Sequence, residues 1–263
     1  MAPRSGLRVS RLSKIHHLVT VHHSVTVGEL TAQLGVSEAT VRRDLDALQA
    51  QGLVQRTHGG AVAVSSRVRE RPYPERSAVS VAEKKAIAAI AADLVAPGDT
   101  VFIGGGSTTL RLAECLTAAS ITVVTNSLSV AHELSRSRNV DVIVIGGSLR
   151  YAELSMIGPR AVDSIHSYRA ELAFLGVPAL DSQQGFTADG DAEAATDAAF
   201  ISRARRTVVL ADHSKLGRVS TTHVVPLTSI HTVITDDGAP ESSVAALRAA
   251  GTHVVVAQVG VNG

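Results

Sequence analysis

Tryptophan is absent from this 263-residue chain, aromatic residues make up 3% of it, and there is one cysteine, Cys115. One thiol closes no internal disulfide and, without companions, holds no zinc. Its neighbours Leu112, Ala113 and Leu116 make it an expected small buried hydrophobe. No unbroken apolar run is long enough to span a bilayer, although 45% of the residues are hydrophobic. The basic N-terminus leads into no signal-type apolar core, so a cytoplasmic protein without a membrane partner is expected. The pairs His16-His17 and His22-His23 lack the i, i+4 spacing of helical metal ligands and have no carboxylate or cysteine beside them. They are expected to be solvated, with no metal and no cofactor implied.

A net charge of +1 excludes nothing by itself, but its distribution is uneven. Residues 1–71 hold 10 Lys+Arg against 5 Asp+Glu, whereas the remainder holds 15 against 19. A basic head on a slightly acidic body is the footprint of a nucleic-acid module joined to something else.

Within the head, Thr26-x-x-Glu29 is a capping box that opens a helix with Val27, Leu30 and Leu34 on its apolar stripe. Gly35-Val36 makes a turn, Ser37 stands where an N-cap belongs, and Val41, Leu45 and Leu48 form a second stripe. Thr40, Arg42, Arg43, Asp46 and Gln49 fall on the other faces. Two short helices, the second opening with hydroxyls and paired arginines, describe a helix-turn-helix with its recognition helix. A further helix is expected over residues 8–21, carrying Leu12, Ile15, Leu18 and Val19. After Gly52, a helix stop, residues 53–62 alternate around Gly59-Gly60 and read as a two-stranded wing. Arg56 and His58 would stand at its tip, in reach of phosphate or the minor groove. Residues 63–80, with Pro72, Pro74 and the arginines 67, 69, 71 and 76, read as a stiff linker.

From Ala82 onward helices alternate with short apolar strands, expected at 100–103, 121–124, 140–145, 172–175, 207–211, 232–235 and 253–256. That alternation implies a mostly parallel sheet covered on both faces. The strands end in small polar residues: Gly104, Thr125-Asn126, Gly146-Gly147, Gly176, Asp212 and Asp236. In such sheets ligands bind beyond the carboxyl ends of the strands. Between a strand and a helix, Gly104, Gly105, Gly106, Ser107, Thr108 and Thr109 make an anion cradle of close backbone, helical amides and hydroxyls. No Lys-Ser/Thr follows the glycines, so it is not a P-loop. Thr109 replaces the third glycine of a dinucleotide fingerprint, and Asn126 stands where an acid would hold a ribose. A phosphate monoester remains the good fit. Asp191, Glu193 and Lys215 lie on later loops, the lysine able to pair with the same phosphate.

Val36-Ser37-x-x-Thr40-Val41-Arg42-Arg43-Asp44-Leu45, then Leu48, Gly52, Arg56 and His58-Gly59-Gly60-Ala61, resembles the N-terminal signature of the DeoR family of bacterial transcriptional repressors. The second half is similar to that family's sensor domain at Gly106–Thr109, Thr125-Asn126, Gly146-Gly147, Glu171–Gly176 and Ala211–Gly217. The resemblance implies an α+β winged helix-turn-helix (1–62), a linker (63–80) and an α/β effector domain (81–263) akin to ribose-phosphate isomerases and CoA transferases. It implies that Ser37, Thr40, Arg42 and Arg43 face double-stranded operator DNA, with Asp44 orienting a neighbouring arginine. It further implies a phosphorylated sugar as effector and a homodimer or higher homo-oligomer. The chain departs from the family pattern at Gly104, at Glu171 and at Asp197-Ala198, where an acid, an aspartate and a basic pair are common.

The expected function is therefore a repressor of a carbohydrate catabolic operon, released by the sugar phosphate, and not an enzyme. The rival is a sugar-phosphate isomerase using Glu193 or Asp191 as base. It leaves the basic wing and linker without a purpose. A purely structural protein explains neither the recognition helix nor the polar strand ends.

Overall fold

The structure, a computed structural model, describes residues 11–12, 14–15, 18–19, 24–50, 54–57, 59–63 and 73–260. His16, His17, His22, His23, Gly52, His58 and the arginines at 67, 69 and 71 lie outside the described residues. The chain divides into two units, Met1–Arg69 and Glu70–Gly263.

In the first unit the described residues between 11 and 19 are helical, with Ile15 and Val19 fully buried. Strand β1 (Ser24–Thr26), helix α1 (Val27–Leu34), helix α2 (Glu38–Ala50), β2 (Val54–Thr57) and β3 (Gly60–Ala63) follow. Thr26 caps α1 as expected: Glu29 N donates to Thr26 Oγ1 at 3.2 Å, and Thr26 N donates back to Glu29 Oε2 at 2.7 Å. Gly35 ends that helix in the left-handed region at φ 65°. Val41, Leu45 and Leu48 then point into a core with Ile15, Leu30 and Val54. Each such burial is worth about 1.5–3 kcal/mol. The wing is three-stranded, in the order β1-β3-β2, because β1 adds to the expected hairpin. That pairing brings Gly60 so close to β1 that a Cβ on it would lie 2.0 Å from the Val25 carbonyl oxygen. No residue but glycine fits there.

The second unit opens with helix α3 (Tyr73–Ala78), so the segment expected as linker is helical from Tyr73. After α4 (Val81–Ala92) come β4 (Thr100–Ile103), α5 (Ser107–Cys115), β5 (Ile121–Thr125), α6 (Leu128–Leu134) and β6 (Val140–Val144). A hairpin of β7 (Ser148–Arg150) and β8 (Ser155–Ile157) precedes α7 (Pro159–His166), β9 (Ala170–Gly176), β10 (Ala179–Asp181) and β11 (Gly185–Ala188). The chain closes with α8 (Asp191–Arg203), β12 (Ala204–Leu210), β13 (Thr222–Val225), β14 (Thr232–Asp236), α9 (Glu241–Ala249) and β15 (His253–Ala257).

Seven strands form one parallel sheet, β15-β14-β12-β9-β4-β5-β6, as the alternation of helices and strands implies. Successive residues serve opposite layers. Val101, Ile103, Leu172 and Phe174 pack with Ile87, Leu112 and Leu134 of α4, α5 and α6. Phe102, Ala173 and Leu175 pack with Ile165, Phe200 and Leu247 of α7, α8 and α9. The Phe102 and Phe200 rings meet at 5.1 Å between centroids. Both faces being covered explains why the strands are apolar runs. From β4 the chain adds strands first on one side and later, starting at β9, on the other. The order therefore reverses between β4 and β9, the position at which open parallel sheets leave a crevice.

Cys115 corrects an expectation. As the last residue of α5 it is exposed, while Leu112, Ala113 and Leu116 turn inward. Partial desolvation, with Glu114 and Asp93 nearby, pushes its thiol up and keeps it protonated.

Candidate functional site

In the first unit, α2 presents Ser37, Arg42 and Arg43 exposed and Thr40 half-buried, with the apolar stripe turned away. Among the described residues the Ser37 hydroxyl meets Thr40 Oγ1 at 3.0 Å, in place of the expected first-turn amide. Arg42 reaches Glu38 one turn back at 3.1 Å, a surface pair that costs little to break. Arg43 has no partner among the described residues. Asp44 does orient an arginine, but a distant one: Arg11 Nε donates to Asp44 Oδ2 at 2.5 Å, with Asp44 itself 2% exposed. The carboxylate raises the guanidinium's pKa in turn. Arg56 departs from its expected place. It pairs with Ala61, one register position short of the turn. Its Nη1 lies 2.5 Å from Asp46 Oδ1 and donates to the Arg42 carbonyl at 3.2 Å. It is thus folded back onto α2 and braces the wing instead of standing free at the tip.

In the second unit, the Gly-rich turn sits at the switch point between β4 and β9. Gly104 N donates to the Phe174 carbonyl at 3.0 Å. Gly176 lies beside the turn, its absent Cβ 3.6 Å from Gly105 O and 3.9 Å from Gly106 Cα. Gly106 takes φ 149° to start α5 directly from the strand, and no side chain caps that helix. Ser107, Thr108 and Thr109, expected in a loop, form its first turn. The first amides of a helix are natural anion donors. Of the hydroxyls, Thr109 Oγ1 is spent on the Gly106 carbonyl, and Thr125 Oγ1 donates to Ile103 O while accepting from Ser127 N. Both are fully buried. They shape the turn, which corrects their expected place among direct ligands.

Asn126 is 3% exposed; its Nδ2 donates to the Met156 carbonyl at 2.9 Å, but its buried Oδ1 has no hydrogen-bond partner among the described residues. An acceptor in that state suits a hydroxyl donor from outside. Gly147 is needed for packing, since a Cβ there would lie 2.9 Å from the Ile157 carbonyl oxygen. Gly146 is exposed and open. Asp191 is exposed and accepts from Thr222 Oγ1 at 3.2 Å.

Beside the expected Lys215 and Glu193, the structure brings in charged residues that the sequence-based expectation did not place in the site: Lys84, Arg76, Arg111, Arg150 and Glu153. Lys84 is 4% exposed, and its Nζ donates to the Arg76 and Val79 carbonyls, each at 2.6 Å. Burial lowers its pKa; Asp212 opposes this, and Lys215, Arg76 and Arg111 add to it. Lys215 therefore shares a basic neighbourhood with three other cations. Glu153, at the tip of the β7–β8 hairpin, places Oε2 3.5 Å from where a Gly105 Cβ would stand. It pairs with Arg76 at 2.8 Å and Arg150 at 3.3 Å, and Arg150 also meets Glu193 at 3.3 Å. Burial first, then the Glu153 charge, pushes the Glu193 carboxyl up to about 7, against the opposing pull of Arg150. Of the departures noted in the sequence, Glu171 lies at the far end of its strand. There it accepts from Thr100 N at 2.9 Å, away from the turn.

Comparison with protein families decides what these parts belong to. Residues 11–67 match the DeoR-like helix-turn-helix domain, and residues 79–237 match the DeoR C terminal sensor domain. The chain belongs to the DeoR family. This DeoR-family chain is 36% identical to an uncharacterized HTH-type transcriptional regulator, YulB, of Bacillus subtilis, over 92% of its length and 93% of the relative's. It is also 36% identical to the HTH-type transcriptional regulator GlpR of Haloferax volcanii, over 95% and 98% of the two chains. The glycerol-3-phosphate regulon repressor of Escherichia coli is 33% identical, over 89% and 93%. Ribose 5-phosphate isomerase A of Neisseria gonorrhoeae shares 19% identity and a TM-score of 0.38 over about half of each chain, a likeness too partial to carry an argument. The DeoR-family chain is thus a DNA-binding transcriptional regulator with a sensor domain, and not an enzyme. No helix among the described residues is long and apolar enough to cross a membrane.

Proposed function

We propose that this regulator represses a carbohydrate catabolic operon and releases its operator when a phosphorylated sugar fills the crevice between β4 and β9. The observation that carries the reading is the start of α5 behind Gly106, which has no side-chain cap among the described residues; Arg76, Arg111, Lys215 and Asp212 are the charged neighbours of Lys84 in the same unit. A phosphate would take the amides of Ser107 and Thr108, with Lys215 in its basic surroundings. The buried Asn126 Oδ1 offers a sugar hydroxyl its acceptor. Relatives named for glycerol-3-phosphate support a small phosphate ester as the class.

On the DNA side, Ser37, Thr40, Arg42 and Arg43 of α2 are the groove-facing set, and the wing, with its turn around Gly59, reaches the backbone. Two copies related by a dyad would read half-sites about one helical turn apart. The domain division that suits this reading is a winged helix-turn-helix to about residue 62 and an effector domain starting with α3. A ligand releases DNA only if it binds the released state better.

A mobility-shift assay on the DNA upstream of the gene, titrated with a panel of phosphorylated and unphosphorylated sugars, tests both halves. One phosphorylated sugar is expected to dissociate the complex while its unphosphorylated parent does not. Arg42→Ala is expected to abolish the shift with the helical content intact. Retained binding by Arg42→Ala would overturn the α2 assignment, and indifference to every phosphorylated sugar would overturn the effector class.

A further inference from the structure

The tip of the β7–β8 hairpin does more than close a turn. Glu153 is 12% exposed in its side chain, and its carboxylate, with Ser155 beside it, covers Gly105 of the anion cradle, Oε2 lying 3.5 Å from where a Cβ on that glycine would stand. It is held there by Arg76 on one oxygen and Arg150 on the other, the distances being 2.8 and 3.3 Å. Arg76 also donates to the carbonyl of Ala152, one residue before Glu153, at 3.1 Å. The next residue, Leu154, adopts φ 53°, a left-handed conformation unfavourable for a bulky side chain. The hairpin is thus kept in a strained turn by ion pairs that end on the anion cradle.

Resting on the crevice as the phosphate site, we propose that Glu153 is an internal stand-in for the effector's phosphate, and that the phosphate displaces it. A dianion arriving over Gly105 repels the carboxylate and competes for Arg150 and Arg76 with a doubled charge and more acceptor oxygens. A neutral sugar has no means of displacing it, so Glu153 sets the specificity for phosphorylated ligands. Displacement relieves Leu154 and ends the Arg76–Glu153 tie. Arg76 lies on α3, the first described element after the DNA-binding unit, and its carbonyl is clasped by Lys84. Loss of the tie therefore frees α3 from the hairpin.

Isothermal titration of the full chain with inorganic phosphate, on wild type and Glu153→Gln, tests this. The amide keeps size but loses the charge that competes, and about tenfold tighter phosphate binding is expected. Without any phosphate, Glu153→Gln and Arg76→Ala are both expected to bind the upstream DNA several-fold more weakly than wild type, while Arg76→Ala gains no phosphate affinity. Tyrosine emission reports folding; should Glu153→Gln not fold, Glu153→Asp, whose shorter arm withdraws the carboxylate, is expected to show the same gain. If wild type binds phosphate and Gly105→Val abolishes it, but neither Glu153 variant binds more tightly, the stand-in is overturned and the crevice reading stands. If neither wild type nor the variants bind phosphate, both are overturned.

Discussion

Glu193 makes the stability of the sensor unit depend on pH in a direction opposite to that of most carboxylates. It lies in the first turn of α8, where the helix dipole would favour its anion, and Arg150 is 3.3 Å away. Burial and the neighbouring Glu153 outweigh both and hold the carboxyl up to about 7, from 4.5 in an unfolded chain. Between those values the unfolded chain has released a proton that the folded chain keeps, so stability falls as pH rises through that window and levels off above it. At about 1.4 kcal/mol per pH unit, the loss reaches at most about 3 kcal/mol by pH 8, shared with Glu153 because both face Arg150. In Glu193→Gln this contribution is absent. Tyr73, Tyr151 and Tyr168 all belong to the Glu70–Gly263 unit and the chain has no tryptophan, so tyrosine emission follows that unit alone. Thermal unfolding of wild type and Glu193→Gln from pH 5 to 8.5 is expected to give curves that lie together near pH 5, where both side chains are neutral, and separate toward pH 8. The wild type falls below the variant by several degrees near pH 8, in line with about 2–4 °C per kcal/mol for a unit of this size. Comparing the two proteins cancels the titrating groups that do not interact with Glu193. Curves that run parallel across the window would refute the argument that burial and Glu153 keep this carboxyl protonated.

Arg43→Ala is expected to weaken DNA binding and to lower the slope of log affinity against log salt by about one. Arg56→Ala should leave that slope unchanged, because the guanidinium is engaged by Asp46 and the Arg42 carbonyl; a lowered slope would put Arg56 on phosphate after all. Asp44→Ala removes the partner of Arg11 from a buried position and is expected to destabilise the DNA-binding unit by about 2–3 kcal/mol, measured by thermal melting of helical circular dichroism. Gly60→Ala sets a methyl group against the Val25 carbonyl, so β1 must separate from β3; a loss of about 1–3 kcal/mol is expected in the same assay.

What was legible in the sequence and what was not divides along the range of the forces involved. Thr26 and Glu29 cap each other across three residues, and Val41, Leu45 and Leu48 mark one helix face, so both patterns are complete within a single element. The ends of the strands expected at 100–103, 121–124 and 172–175 are readable to within one residue for the same reason, and a parallel sheet then obliges the turn at Gly104–Gly106 to meet Gly176. A charge carries no such local signature. Arg76 in its proline- and arginine-rich surroundings has the composition of a linker, yet its partner stands 77 residues away on a hairpin whose strands of three residues are too short to show a period. The sequence puts Arg56 at the tip of the wing because the alternation of the strand is visible in it and the register against α2 is not. Asp46, ten residues earlier, decides where the guanidinium goes. Cys115 misled for a related reason: a stripe identifies which residues turn inward, but the last residue of a helix is free of it. The consequence for the sensor is specific. The cradle, being backbone, is written in its glycines; the residue that guards it, Glu153, is fixed only by the sheet that brings hairpin, α3 and α8 to one place.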